Sequence, residues 1–241
     1  MKPIEDYTAA IALARAHARG GYSNCDGFLL SLSRRRPNGS VLWEERPGEG
    51  LLFLQAHPRF YDLFAVGQFP NPITLPTMDK PVLFTHVRGQ MPQLEGFTFF
   101  RTACRMELRG GEATGQVEPV AAGEEVQIRT LLASSLPAVD FPDIIDREHF
   151  SCIHRDGQIV ACAGVELAGK GCVLAHVAVA ETMRRQGLGQ ALVRGTIAMA
   201  KEKGAEIFYL WVDEANLAAV HLYERCGFHR TNRTTEQWIK K

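Results

Sequence analysis

From Gly123 onward the chain predicts an α/β layer built on a mixed sheet. Three observations carry that reading. Apolar strand-type runs alternate with helix-period segments in the order helix, strand pair, strand, helix, strand, helix, strand. Arg155-Asp156-Gly157 separates two of those runs, and Asp-Gly is a strong signal for a two-residue hairpin turn. Finally, a basic glycine turn, Arg184-Arg185-Gln186-Gly187-Leu188-Gly189, joins the strand at 173–179 to an Ala-rich amphipathic helix that runs to Lys203.

Taken in order, residues 3–17 read as a helix, with Pro3 in its first turn and Glu5 and Asp6 near the positive dipole end. Ile4, Tyr7, Ile11 and Ala14 fall on one face, and Gly20-Gly21 ends it. The pattern then turns to short β-type runs. Residues 51–54 and 60–66 form a strand pair around His57-Pro58, residues 81–87 form another strand, and 99–108 alternate with Phe100, Thr102, Cys104, Met106 and Leu108 on one face. Gly110 to Gly115 is polar and glycine-rich and marks a linker, which divides the chain into 1–112 and 113–241. Beyond it, 123–132 reads as a helix with Val126, Ile128, Leu131 and Leu132 as the apolar side. An irregular acidic passage carries Asp140, Asp143 and Asp146 between Pro137 and Phe150. Strands at 150–154 and 158–167 form the hairpin, Gly169-Lys170-Gly171 turns into the next strand, and Gly204 caps the helix that follows. A strand at 207–212, a helix at 216–225 and a last strand near 237–239 complete the order.

Composition excludes several classes of function. Basic and acidic residues number 27 each, so the formal net charge is zero and the global basic field of a nucleic-acid binder is absent. Arg34-Arg35-Arg36 reads as a solvated loop. The six cysteines show no C-x-x-C pairs and no histidine in metal spacing, so neither a metal nor a disulfide scaffold is expected. Cys152, Cys162 and Cys172 are spaced as similar positions on successive strands. Reduced thiols, acidic residues where a signal peptide needs positive charge, and no membrane-length apolar run predict a cytoplasmic protein without membrane partners.

The glycine turn is where chemistry first becomes legible. A helix that starts at such a turn offers unpaired N–H groups and a positive dipole end to phosphate oxygens. About thirty residues after it comes Asn216-x-x-Ala219-x-x-Leu222-Tyr223-x-x-x-Gly227-Phe228. Together, Arg184-x-x-Gly187-x-Gly189 and this second segment resemble the acetyl-CoA site of the GNAT superfamily of N-acetyltransferases, over roughly residues 117–241. The resemblance implies that family's mixed, mostly antiparallel sheet flanked by helices. It also implies acetyl-CoA as co-substrate, and direct transfer of its acetyl group to a primary amine of a small-molecule or peptide acceptor without an acyl-enzyme.

Residue by residue, the resemblance gives the backbone of Val177, Ala178 and Val179 to the pantetheine arm. Arg184 belongs to the turn, and the N–H groups of Arg185, Gln186, Gly187, Leu188, Gly189 and Gln190 are assigned to the pyrophosphate. Asn216 would bond the pantetheine or cysteamine portion, or act as a helix N-cap, or both. Tyr223 would protonate or hydrogen-bond the departing thiolate, against the alternative of a half-buried core tyrosine. The general base has no residue at its usual places, because Val173 and Ala175 stand eleven and nine positions ahead of Arg184. His176 has the opposite parity and qualifies only if a bulge turns it; otherwise it is a hydrogen-bonded interior residue. Glu166, at the end of the preceding strand, is the second candidate, and deprotonation through ordered water is the third. Glu181 stands where many members have proline.

The first half has no R-x-x-G-x-G turn. Its ending, Gly96-Phe97 before a long strand, parallels Gly227-Phe228 and the terminal strand, so it reads either as a second GNAT-like lobe without a cofactor site or as an unrelated α/β cap. Two functions from other classes stand beside the enzyme reading. One is a non-catalytic acyl-CoA-binding or regulatory protein, motivated by the missing strand base. The other is aminoacyl transfer from charged tRNA, against which the neutral charge and the intact turn count. Monomer and homodimer are both compatible with the sequence.

Overall fold

The computed structural model describes residues 1–18, 22–23, 41–87, 91–108, 114–136 and 145–241. Gly20-Gly21, Arg34-Arg35-Arg36, Gly110 to Ala113, Pro137, Asp140 and Asp143, all singled out above, and Cys25, one of the six cysteines, lie outside the described residues. The chain divides into two compact units, Met1–Thr102 with Arg233–Lys241, and Ala103–Asn232. This differs from the 1–112/113–241 division expected from the linker, because the long strands at 98–108 and 228–240 each give residues to both units.

The first unit holds β1 (Lys2–Pro3), α1 (Tyr7–Ala18), β2 (Tyr22–Ser23), β3 (Val41–Arg46), β4 (Gly50–Ala56), β5 (Tyr61–Gly67), β6 (Val82–Val87) and the start of β7 (Thr98–Leu108). It also takes the end of the last strand, β13 (Phe228–Lys240). Its sheet runs β1-β3-β4-β5-β6-β13, with β2 against β5. The expected pair at 51–54 and 60–66 is β4 and β5, antiparallel with Leu51 opposite Val66. The first helix starts at Tyr7 rather than Pro3. Asp6 caps it by accepting the Ala9 N–H at 3.0 Å, and Lys2 and Pro3 are drawn into pairing with Trp43 and Leu42.

The second unit carries β8 (Glu118–Pro119), α2 (Glu125–Ser135), β9 (Phe150–Arg155), β10 (Gln158–Ala168), β11 (Gly171–Val179), α3 (Leu188–Glu202), β12 (Ile207–Asp213) and α4 (Leu217–Arg225). Residues 103–108 of β7 and the start of β13 complete it. The sheet order is β7-β12-β11-β10-β9-β8. Asp156 and Gly157, at φ 50° and 73°, make the two-residue turn between β9 and β10, with Arg155 opposite Gln158. Helices α3 and α4 bury one sheet face with Leu174, Phe208, Leu210 and Val212, while α2 buries the other with Phe150, Cys152, Cys162 and Ala178.

Three expectations need correcting here. Val126 is 71% exposed; residues 128, 131 and 132 follow the helical spacing of the buried stripe, and 126 falls off it. Gly115, the described end of the expected linker, is exposed, and its backbone runs close to α3, where a Cβ would lie 2.6 Å from the Ala191 carbonyl oxygen. The last strand spans Phe228–Lys240, not only the apolar residues near 237–239. Cys152 and Cys162 are direct cross-strand partners in the α2-side core, but Cys172 packs in the opposite core.

The two sheets repeat one wiring. In the first unit the antiparallel run β3-β4-β5 is followed by β6, parallel to β5 over Tyr61–Leu63, and then by antiparallel β13. In the second, the antiparallel run β9-β10-β11 is followed by β12, parallel to β11, and then by antiparallel β7. The helix preceding each run packs on its sheet: Ala10, Ile11 and Ala14 of α1 against Leu51 and Phe53, and Ile128, Leu131 and Leu132 of α2 against Cys152 and Cys162.

Candidate active site

Strands β11 and β12 are parallel partners at Gly171↔Ile207, Cys172↔Phe208 and Val173↔Tyr209, and their ladder stops there. Both continue, to Val179 and Asp213, without pairing to each other. The second half of β11 therefore keeps β10 on one side and presents an open backbone edge on the other. Such an edge can accept an extended, amide-bearing chain as though it were another strand.

A bulge sits at the place where the strands part. Between Cys162↔Ala178 and Gly164↔Ala175, β10 contributes Ala163 alone, whereas β11 contributes both His176 and Val177. His176 takes a left-handed φ of 53°. The consequence is read in the packing. Leu174 lies in the α3/α4 core, yet Ala178, which a regular strand would put on the same face, lies in the α2 core. The turn that parity required of His176 is thus present. Its ring stacks on Phe150 at 6.0 Å between centroids, over Gly164, where a Cβ would come within 3.2 Å of His176 Cδ2. Glu166, opposite Val173, is exposed and alternates with Gly164 and Cys162, which places it on the same face as His176.

The turn after β11 is shaped for an anion. Arg185 at φ 62° and Gly187 at φ 80° are both left-handed, and this alternation brings successive N–H groups round to one side. Gly187 caps α3, and a Cβ there would meet nothing within 4 Å, so the space before the helix is open. The N–H groups of Arg185, Gln186, Gly187, Leu188 and Gly189 make no hydrogen bond among the described residues. Gln190 is different from the expectation. Its N–H closes the first turn on the Gly187 carbonyl at 3.1 Å, and its side chain bonds the Arg225 carbonyl. The two arginines also part ways. Arg184 Nε holds the Val179 carbonyl at 3.1 Å, buckling turn to strand, while the Arg185 guanidinium has no partner among the described residues.

Asn216 caps α4, its side-chain oxygen accepting the Ala219 N–H at 3.1 Å, which leaves its amide NH₂ without a described partner. Tyr223, about two turns on, packs edge-on against Phe228. Burial drives the Tyr223 pKa upward, with Cys226 adding to it, so the phenol keeps its proton throughout the neutral range. Its hydroxyl has no described hydrogen-bond partner and is not among the fully occluded unpaired polar atoms, so it opens onto reachable space. Gly189 lies under Leu222, where a Cβ would come within 3.2 Å of Leu222 Cδ2, and this close approach seats α4 beside the turn.

The acetyltransferase (GNAT) family model matches residues 125–228, the span that contains the bulge, the turn and both helices around the open edge. That span is a GNAT-family acetyltransferase domain. Mycothiol acetyltransferase from Renibacterium salmoninarum is 37% identical over 103 residues, 43% of this chain and 28% of that one. The [ribosomal protein bS18]-alanine N-acetyltransferase of Escherichia coli is 33% identical over 75 residues, 31% of this chain and 51% of that protein. The chain thus spans about half or less of the length of these curated relatives. The fold is shared with solved GNAT structures at both ends of the chain. A GCN5-related N-acetyltransferase from Sphaerobacter thermophilus matches with a TM-score of 0.61 at 14% identity, over 97% of this chain and 91% of that one. A GNAT-family acetyltransferase from Colwellia psychrerythraea matches with a TM-score of 0.60 at 13% identity, over 100% and 99%.

The sequence left β3 unread, and it left one cluster of the domain unread as well. Glu124, Cys152 and His154 bring a carboxylate oxygen, a thiol sulfur and an imidazole nitrogen within 4.8 Å of one another. Cys152 and His154 are two apart on β9, a spacing that puts both on one face of a strand and could have been noticed.

Proposed function

We propose that the protein is an acetyl-CoA-dependent N-acetyltransferase that moves the acetyl group directly onto a primary amine of a small-molecule or peptide acceptor. The observation that carries this reading is the parting of β11 from β12 at the His176 bulge, beside a turn with five free N–H groups. The pantetheine arm lies along the open edge at Val177, Ala178 and Val179, with amide groups pairing to backbone as in a sheet. The pyrophosphate sits against the N–H groups of Arg185 to Gly189, aided by the α3 dipole and the Arg185 charge. The Asn216 amide donates to the pantetheine portion while its oxygen keeps the cap.

In the transfer, the acceptor's neutral amine attacks the thioester carbonyl. A tetrahedral intermediate forms, the C–S bond breaks, and the thiolate takes a proton from Tyr223. His176 removes the proton that the amine sheds, and the exposed carboxylate of Glu166 on the same face attracts the acceptor's cationic form. An acyl-cysteine has little support as an intermediate. All five described cysteines are free and buried, and burial pushes the Cys152 and Cys162 thiols up to about 12 and Cys172 up to about 11. Those free thiols also fit a reducing, cytoplasmic setting, and among the described residues no helix is long and apolar enough to cross a membrane.

The first unit is a second GNAT-like lobe without its own cofactor site. Its sheet repeats the wiring of the second, while the stretch after β5, where the glycine turn and α3 would fall, is Gln68–Pro81 with four prolines and no helix. The experiment for the activity is release of free coenzyme A thiol with acetyl-CoA and a panel of amino acids, polyamines, aminoglycosides and peptide N-termini. Amine-dependent release with at least one class supports the reading, and saturable acetyl-CoA binding without release from any class would favour the non-catalytic alternative.

A further inference from the structure

Away from the acyl-transfer cleft, β8, the start of α2 and β9 bring four chemistry-bearing side chains to one point. Cys152 and His154 project from the same face of β9, and Glu118 of β8 is the direct pairing partner of Cys152. Glu124, just ahead of α2, reaches His154 Nε2 at 2.8 Å, and Glu118 reaches Nδ1 of the same ring at 3.1 Å. The Cys152 sulfur lies 3.9 Å from that Nδ1 and is buried, with the Glu118 carbonyl 3.5 Å away.

We infer that Glu124, Cys152 and His154 form a zinc site that clips the start of α2 to β9, with Glu118 orienting the imidazole. The donor set decides the ion. Thiolate and imidazole together suit a borderline-soft divalent cation, and one carboxylate completes three protein ligands of the kinds zinc takes. The three donor atoms lie within 4.8 Å of one another, with Glu124 on Nε2 and the Cys152 sulfur on the Nδ1 side of the ring, so an ion held on Nε2 requires the Cys152 side chain to turn toward Glu124. A histidine ligand usually gives its second ring N–H to a carboxylate, and the two carboxylates flanking His154 supply one as ligand and one as that partner. On binding, zinc replaces the Cys152 proton, which leaves to solvent, and water fills the fourth position at the exposed Glu118 edge.

The test uses the full chain stripped with a chelator and titrated with Co²⁺ and then Zn²⁺. One equivalent of Co²⁺ should produce a thiolate-to-cobalt charge-transfer band in the near ultraviolet, which Zn²⁺ then bleaches. Cys152→Ser should abolish the band, and Glu124→Gln should weaken Zn²⁺ at least tenfold in a competition assay, equivalent to about 1.4 kcal/mol. Zn²⁺ should also raise the melting temperature of wild type and not of Cys152→Ser. Circular dichroism of both variants checks that they fold, and Glu124→Gln carries the test if Cys152→Ser does not. No charge-transfer band, a band that persists in Cys152→Ser, or undiminished Zn²⁺ affinity in Glu124→Gln would overturn the site and leave His154 as an ion-pair staple. None of these readouts depends on acetyl transfer.

Discussion

The imidazole of His176 lies nearly parallel to the Phe150 ring, with 6.0 Å between centroids and 13° between planes. That relationship exists because one extra residue in β11 turns the histidine onto the α2 face of the sheet, beside the open backbone edge. In the proposed mechanism it supplies the proton acceptor at a place the strand alternation alone denies.

His176→Gln should therefore lower kcat about 100-fold and remove the acidic limb of the pH–rate profile, with acetyl-CoA affinity unchanged. Glu166→Gln should raise KM for a cationic acceptor more than it lowers kcat. If Glu166→Gln instead removes the acidic limb and His176→Gln leaves it, the two roles are exchanged.

Tyr223→Phe should reduce turnover while leaving acetyl-CoA affinity close to wild type, because the ring still packs on Phe228 and only the proton donor is lost. The sign of the pH dependence follows from burial. A pKa raised above the ordinary tyrosine value keeps the acid form present as pH rises, so activity should not fall through loss of this proton below roughly pH 10. An alkaline limb near pH 8 that disappears in Tyr223→Phe would contradict this assignment.

Asn216 serves two ends, and the substitutions separate them. Asn216→Ala removes the acceptor for the Ala219 N–H and should cost about 1 kcal/mol of stability as well as cofactor affinity. Asn216→Ser keeps a capping oxygen but no amide donor, so its melting temperature should stay near wild type while acetyl-CoA binding weakens. Unweakened binding in Asn216→Ser would reduce Asn216 to a cap.

Much of this site was legible because its signals are local. Arg184, Gly187 and Gly189 define a turn by their own backbone needs, Asn216 caps the helix it begins, and Asp156-Gly157 fixes a hairpin without help from elsewhere. What escaped depends on distant partners. Val41–Arg46 ends in Glu44, Glu45 and Arg46, a run with no apolar alternation, and becomes a strand through pairing with β4. Most of β13 is polar and is held by β6 along Thr235–Lys240. The engagement of Gln190 with Arg225 required α3 and α4 to meet first. The bulge at His176 was legible only as a requirement, since its cause lies in the register of β10 against β11.

Ser151 and Thr196 are buried partners at 2.6 Å, and because Thr196 donates to the Leu192 carbonyl, Ser151 donates to Thr196. Thr196→Val should destabilise the protein by about 1–3 kcal/mol by leaving the Ser151 hydroxyl unpaired. Ser151→Ala with Thr196→Val should recover part of that loss, as read by denaturant unfolding. Strictly additive losses would show that the pair is not coupled.

The central claim is that the open edge of β11 and the Gly187–Gly189 turn hold acetyl-CoA, and isothermal titration addresses it most directly. Gly187→Glu puts a carboxylate into the open space ahead of α3, and Gly189→Glu crowds Leu222. Gly187→Glu also strains a left-handed position by roughly 1–2 kcal/mol, so a folded double variant is verified first by circular dichroism. Wild type should bind one acetyl-CoA per chain with saturable heat, and the double variant should lose that binding. No binding to wild type, or undiminished binding to the double variant, would contradict the account.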